Sequence, residues 1–157
     1  MPRTIAAVLS AAALLSLLSS PAHACYSEPA TIGFAPGSAQ LPSGDRRGLE
    51  EQAFLVEALG PGARIRITAY ADRVGDGWGN LRLSRLRAEA VRRELVRLGV
   101  PASRIDILNR GEAGLPIPTP DDRPEARNRI VIAATYAEAQ LKRDNPVSGC
   151  AGYSAGL

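Results

Sequence analysis

An acid and an arginine in the segment Ala69–Val91 stand where lone charges do not usually stand. Asp72 follows directly on a short alternating stretch, and Arg87 comes fifteen residues later, in the middle of an apolar helical stripe. A charge in such a stripe needs a partner or a ligand, because taking it out of water is costly. Together the two side chains offer an anion for an ammonium and a cation for a carboxylate. That is the complement of a zwitterion, such as the free end of an amino acid. The competing reading is a snorkelling arginine whose stem packs while its head reaches water.

The elements that must position this pair can be read from periodicity. Arg64 to Tyr70 alternates, with Ile65, Ile67 and Ala69 on one face and Arg66, Thr68 and Tyr70 on the other. This pattern predicts a half-buried strand, with Asp72 just past its end. Asn80 is a candidate N-cap for a helix running to about Leu98 and stopped by Gly99. Its stripe is Leu83, Leu86, Ala90, Val91, Leu95 and Leu98, and at about 100° per residue Arg87 falls near the centre of that arc. An earlier helix, capped by Ser43 or Asp45 and running to about Leu59, carries Leu49, Ala53, Val56 and Leu59 at helical spacing. Further strands are expected at Thr31–Phe34, at 103–108 and at 129–135, the last apolar on both faces and so well buried. The prolines at 116, 118 and 120 mark a loop that cannot be a central strand. The order strand, helix, strand, helix, strand, loop, strand implies a sheet with parallel or split pairings and its helices packed on one face.

Composition and the chain ends narrow the class. Residues 1–24 read as an export signal: Arg3, an apolar run from Ile5 to Leu18, and the small-x-small site Ala22-His23-Ala24. Residues 25–136 would then form one domain and 137–157 a polar, then Gly/Ser/Ala-rich tail. Removing the signal lowers the net charge from +3 to +2. Arginines are interspersed with acids, and no basic block or aromatic-basic interleaving appears, so nucleic acid is not an expected partner. The only histidine, His23, leaves with the signal, which removes His-based triads and most zinc sites. Gly75, Gly77 and Gly79 lack the lysine-serine/threonine pair of a phosphate loop. Asp72 with Asp76 could in principle hydrolyse a glycoside, but spacing alone gives neither a reason for a raised pKa. No catalytic residue, metal or cofactor is therefore expected.

The chain has two cysteines, Cys25 and Cys150. In an oxidising compartment the even count favours one disulfide tying the ends of the exported chain together, contributing roughly 4–5 kcal/mol on the chain-entropy model. A lipidated Cys25 with a free Cys150, and two unpaired thiols, are the alternatives, although Ala22 and His23 fit a lipoprotein signal poorly.

Several segments, taken in order, carry a family likeness. They are Phe34-Ala35-Pro36-Gly37-Ser38-Ala39-Gln40-Leu41, Tyr70-Ala71-Asp72-Arg73-Val74-Gly75, Asn80-Leu81-Arg82-Leu83-Ser84-Arg85-Leu86-Arg87-Ala88, Gly99-Val100-Pro101 with Arg104-Ile105, Gly111-Glu112 with Pro116, and Asn128-Arg129. From about Ile32 to Ala134 the sequence resembles the OmpA-like peptidoglycan-associating domain. The resemblance implies a βαβαββ α+β sandwich without enzymatic activity. It implies non-covalent binding of the meso-diaminopimelate residue of peptidoglycan in the Gram-negative periplasm, with the protein held to the wall at or near the outer membrane. Asp72 would take the ammonium and Arg87 the carboxylate, with Asn80 and Leu83 beside them. Envelope proteins are further expected partners, and a degenerate domain serving such a partner is the alternative. Ala71, Ala69 and Ile130 depart from the usual threonine, glycine and arginine.

Intact-mass analysis of the exported protein, alkylated without reduction, is expected to show cleavage after Ala24 and neither cysteine modified. An acyl chain on Cys25 would replace the disulfide with the lipoprotein alternative.

Overall fold

The computed structural model describes residues 28–137. The signal segment, the tail, and Cys25 and Cys150 with them, lie outside the described residues. Four strands and two helices follow in the order β1 (Ala30–Gly33), α1 (Arg46–Ala58), β2 (Ala63–Tyr70), α2 (Gly77–Arg97), β3 (Ile105–Gly111) and β4 (Ile130–Ala137). They make one mixed sheet of order β1-β4-β2-β3. β2 and β3 run parallel, as α2 crosses between them, while β4 lies antiparallel between β1 and β2. The α+β class and one-sided helix layer expected from the sequence are the observed architecture.

The burial pattern follows from that layering. In β2, Ala63, Ile65, Ile67 and Ala69 are fully buried under the helices, and the residues between them are half-buried. β4 alternates in the same way: Val131, Ala133 and Thr135 are buried, and Ile130, Ile132 and Ala134 are partly exposed. The expectation of a β4 buried on both faces is thus corrected, because both helices occupy the same side of the sheet. The core is completed by Leu49, Ala53 and Val56 of α1 and Ala88, Val91 and Leu95 of α2. Leu86 does not belong to the α2 stripe; it is 52% exposed, and the buried arc is instead Asn80, Ser84, Arg87, Ala88, Val91 and Leu95. An apolar residue was a poor marker of that face because half of its buried members are polar.

Two polar contacts lock the layers. Gln52 of α1 is buried, and its Oε1 accepts from the backbone N–H of Thr135 at 2.8 Å and from the Thr135 hydroxyl at 2.8 Å. It therefore satisfies a donor on β4 that would otherwise be lost in the core. Arg104, in the 3-10 turn Ala102–Arg104 that precedes β3, donates to the carbonyls of Ala63, Gly60 and Val56. It stitches the α1–β2 connection to the start of β3. That turn also moves the start of β3 two residues beyond the expected position.

On the helix-free face, Arg64 forms a bidentate pair with Asp106 at 2.6 and 2.9 Å, and the Tyr136 hydroxyl donates to the same carboxylate. Arg64, followed by Tyr136, holds the Asp106 carboxyl below its ordinary value against the opposing effect of burial. A depressed folded-state value means stability that is present above the unfolded value, about 4, and lost as pH falls through the folded one. Urea unfolding of Asp106→Asn is expected to show lower stability at neutral pH and a shallower loss below pH about 4 than the wild type. Equal acid limbs for the two proteins would remove this role.

Candidate functional site

β2 delivers Asp72 to the site. The strand ends at Tyr70, and the Ala71 N–H donates to the Gly111 carbonyl at 2.8 Å, pinning the exit of β2 to the end of β3. Asp72 is 7% exposed. Its Oδ2 accepts from Nη1 of Arg129 at 3.0 Å, and among the described residues Oδ1 has no partner. Arg129 stands between the 3-10 turn Ala126–Asn128 and the first residue of β4. Its Nε donates to the Phe34 carbonyl at 3.2 Å, while its own carbonyl accepts from the Phe34 N–H at 2.8 Å.

Arg87 enters from α2 and is fully buried. Its Nε donates to the carbonyl of Ser38 at 2.8 Å, Nη2 to that of Ala35 at 3.1 Å, and Nη1 to that of Tyr70 at 3.2 Å. The guanidinium lies 5.3 Å from the centre of the Phe34 ring, within cation–π range. It does not snorkel: the chain wraps carbonyls around it. Burial lowers its pKa from the ordinary arginine value, Asp72 opposes that effect, and Arg129 adds to it. The group remains charged, as arginine does in proteins.

The site therefore has one acid between two arginines. The sequence paired Asp72 with Arg87; the structure brings both into the same cluster, but the hydrogen-bonded partner of Asp72 is Arg129. Arg129 was visible only as part of the Asn128-Arg129 dipeptide, and nothing in its local pattern points across the sheet to Asp72. Chemically, Oδ1 of Asp72 is a ready acceptor for an ammonium, and Arg129, with N–H groups left beyond those already engaged and the buried Arg87 behind it, favours a carboxylate.

The expected roles of Asn80 and Leu83 change. The N-cap of α2 is Asp76, whose carboxylate accepts from the Gly79 N–H at 2.8 Å; Asn80 sits inside the first turn, its N–H bonded to the Asp76 carbonyl. An aspartate is as good a cap as an asparagine, and starting one turn earlier lets the Asn80 side chain donate to Glu112 at 2.8 Å. The free N–H groups of the helix start are thus displaced towards Gly77. Leu83 is half-buried beside the core rather than part of it.

The surrounding loops are tied down. Asn128 is fully buried and clamps the proline loop through the Ile117 N–H at 3.0 Å and carbonyl at 2.7 Å. Arg73, directly after Asp72, pairs with Asp121 at 2.8 Å, and the Asp122 N–H donates to the Arg73 carbonyl at 2.7 Å. These contacts hold the 115–122 loop beside the Asp72 end of β2. Among the described residues, no group of three or more His, Cys, Asp or Glu side chains is placed to hold a metal ion.

Comparison with known proteins places this geometry. A model of the OmpA family matches residues 33–130. The fold is similar to the crystal structure of the peptidoglycan-associated lipoprotein from Burkholderia pseudomallei, at 26% identity and a TM-score of 0.61, covering 68% of this chain and 89% of that one. It is also similar to a putative MotB-like protein from Desulfovibrio vulgaris, at 27% identity and a TM-score of 0.54, over 68% and 70% of the two chains. The C-terminal domain of Helicobacter pylori MotB shares the fold at 15% identity, with a TM-score of 0.60 over 74% and 91%. A search of curated protein sequences found no match.

The three carbonyl bonds make Arg87 a structural residue whatever else it does. Arg87→Lys keeps the charge but cannot span Ser38, Ala35 and Tyr70, and is expected to cost about 2–3 kcal/mol in urea unfolding. Arg87→Ala should cost more, since it also leaves a cavity. A variant as stable as the wild type would show that the carbonyls are satisfied without the guanidinium.

Proposed function

The chain belongs to the OmpA family, and from that membership and the site geometry we propose that it binds peptidoglycan non-covalently through the Asp72–Arg87–Arg129 cluster. The single observation that carries the proposal is the half-satisfied carboxylate: Asp72 sits almost wholly buried between two arginines with one oxygen, Oδ1, without a partner among the described residues. The ligand read from this chemistry is the free end of a meso-diaminopimelate residue. Its ammonium would meet Oδ1 of Asp72, and its carboxylate the remaining N–H groups of Arg129, in the positive field of the buried Arg87 behind them. The likeness to a peptidoglycan-associated lipoprotein at 26% identity supports this reading.

The role is binding without catalysis. The export signal read from the sequence supports a periplasmic location, with the protein associated with the wall and at most peripheral to the outer membrane. Acylation of Cys25 would add an outer-membrane anchor.

One observation favours a second reading. Arg87 already has three carbonyl acceptors and Asp72 already has Arg129. The cluster is stable as it stands, so the domain can keep its fold while serving a protein partner of the envelope instead of the wall.

Co-sedimentation with purified sacculi separates the two. The wild type is expected to pellet with diaminopimelate-type walls and much less with lysine-type walls, because lysine lacks the second carboxylate. Asp72→Ala, checked for folding by circular dichroism, is expected to lose about tenfold or more in affinity, the equivalent of 1.4 kcal/mol or more. A folded wild type that leaves both walls in the supernatant would support the protein-partner reading.

A further inference from the structure

We propose that the groove beside Trp78 is a sugar subsite, which takes one face of a hexosamine ring of the glycan strand. The proposal rests on the wall-binding reading for the identity of the sugar, and it concerns residues outside the Asp72 cluster.

Trp78 is the only tryptophan of the chain and is 83% exposed. An indole left in water on a rigid element is informative in a way that a scattered aliphatic residue is not. It stands in the first turn of α2, two residues after the Asp76 cap, so its backbone lies within the turn closed by the Gly79–Asp76 bond. Trp78 lines an open groove of about 500 Å³, together with Leu81, Gly111 and Ala113 and, at its polar edges, Arg110 and Glu112. Gly111 has a φ of +58° and little room for a Cβ, which would meet Leu81 Cα at 3.2 Å. The end of β3 therefore lies flush against α2 and forms the floor.

The polar edges are set. Glu112 accepts from Asn80 at 2.8 Å through Oε2, and a side chain at Gly77 would meet its Oε1 at 3.3 Å. The carboxylate is thus held against the start of α2, where the helix favours negative charge. Arg110 is exposed and has no ion pair among the described residues. One acid and one base make the groove neutral, so it complements an uncharged polar ring better than a charged one. A pyranose has that character: a C–H face that packs on the electron-rich face of an indole, and hydroxyl and acetamido groups at its edge for a carboxylate and a guanidinium. The floor of the groove is tied by one hydrogen bond to the strand end that carries the candidate peptide site, since the Gly111 carbonyl accepts from the N–H of Ala71, the neighbour of Asp72. A stem peptide held at Asp72 and a sugar held at Trp78 would be two parts of one ligand.

Because Trp78 is the sole tryptophan, its emission reads this groove directly. The purified full-length protein would be titrated with a chitin tetrasaccharide, with a disaccharide-tripeptide from a diaminopimelate wall, and with the same tripeptide free of sugar. The tetrasaccharide and the muropeptide are expected to shift the emission to the blue, and the tripeptide is not. The muropeptide should bind at least five-fold tighter than the tripeptide by calorimetry. Trp78→Ala should equalise the two affinities, and Trp78→Phe should restore part of the difference. No shift with the tetrasaccharide and equal affinities for muropeptide and tripeptide would overturn the proposal while leaving the peptide site standing. A shift with the tetrasaccharide but no binding of the tripeptide would support the sugar subsite and remove the diaminopimelate reading. A shift produced only by phospholipid vesicles would overturn the proposal in favour of a membrane-contacting tryptophan.

Discussion

A fully buried guanidinium must be surrounded by acceptors, and much of this domain is arranged to supply them. Arg87 has 0% exposure, and taking its charge out of water would be prohibitive without compensation. The acceptors are backbone carbonyls from two separate stretches, Ala35 and Ser38 after β1 and Tyr70 at the end of β2. One side chain of α2 thereby fixes the first loop against the second strand. The Phe34 ring lies over the same guanidinium, and the Phe34 carbonyl receives Nε of Arg129. Packing, backbone satisfaction and the charge cluster converge on one point.

That convergence has a functional consequence. Asp72 lies beside two cations but hydrogen-bonds only one of them, and one of its oxygens is left over. A site of this kind is preorganised: the acid is held in place by Arg129, and the cationic field is held by a residue that cannot move without dismantling the fold. Asn128 and the Arg73–Asp121 pair hold the neighbouring proline loop, so the rim shares that rigidity. The first turn of α2 continues the surface towards Glu112 and Trp78. Under the proposed function, membership of the OmpA family is what supports a peptidoglycan ligand for this arrangement.

Much of the fold was legible locally. β2 was evident from strict alternation, and α1 and the end of α2 from helical spacing with a glycine stop. The one-sided helix layer followed from the element order, and the α+β class from the family resemblance. Where local reading failed, a non-local or polar contact was the reason. Asp76 displaced Asn80 as the cap, freeing Asn80 for Glu112 on a distant loop. Leu86 looked like a core residue, yet the buried arc of α2 carries Asn80, Ser84 and Arg87 instead, each satisfied by a partner outside the helix. β4 looked buried on both sides because isoleucine and valine do not distinguish a covered face from an open one.

The sequence by itself determined the pieces: the elements, the family motifs, and the suspicion attached to an acid after a strand and an arginine in an apolar stripe. Those depend on interactions between residues a few positions apart, which spacing records. Which charge pairs with which was decided only by tertiary structure. Arg129 reaches Asp72 across fifty-seven residues because β4 inserts between β1 and β2. Arg87 finds carbonyls, not a carboxylate, because the β1 loop folds over it. Hydrogen bonds to backbone carbonyls leave no signature in residue type, since every residue has one.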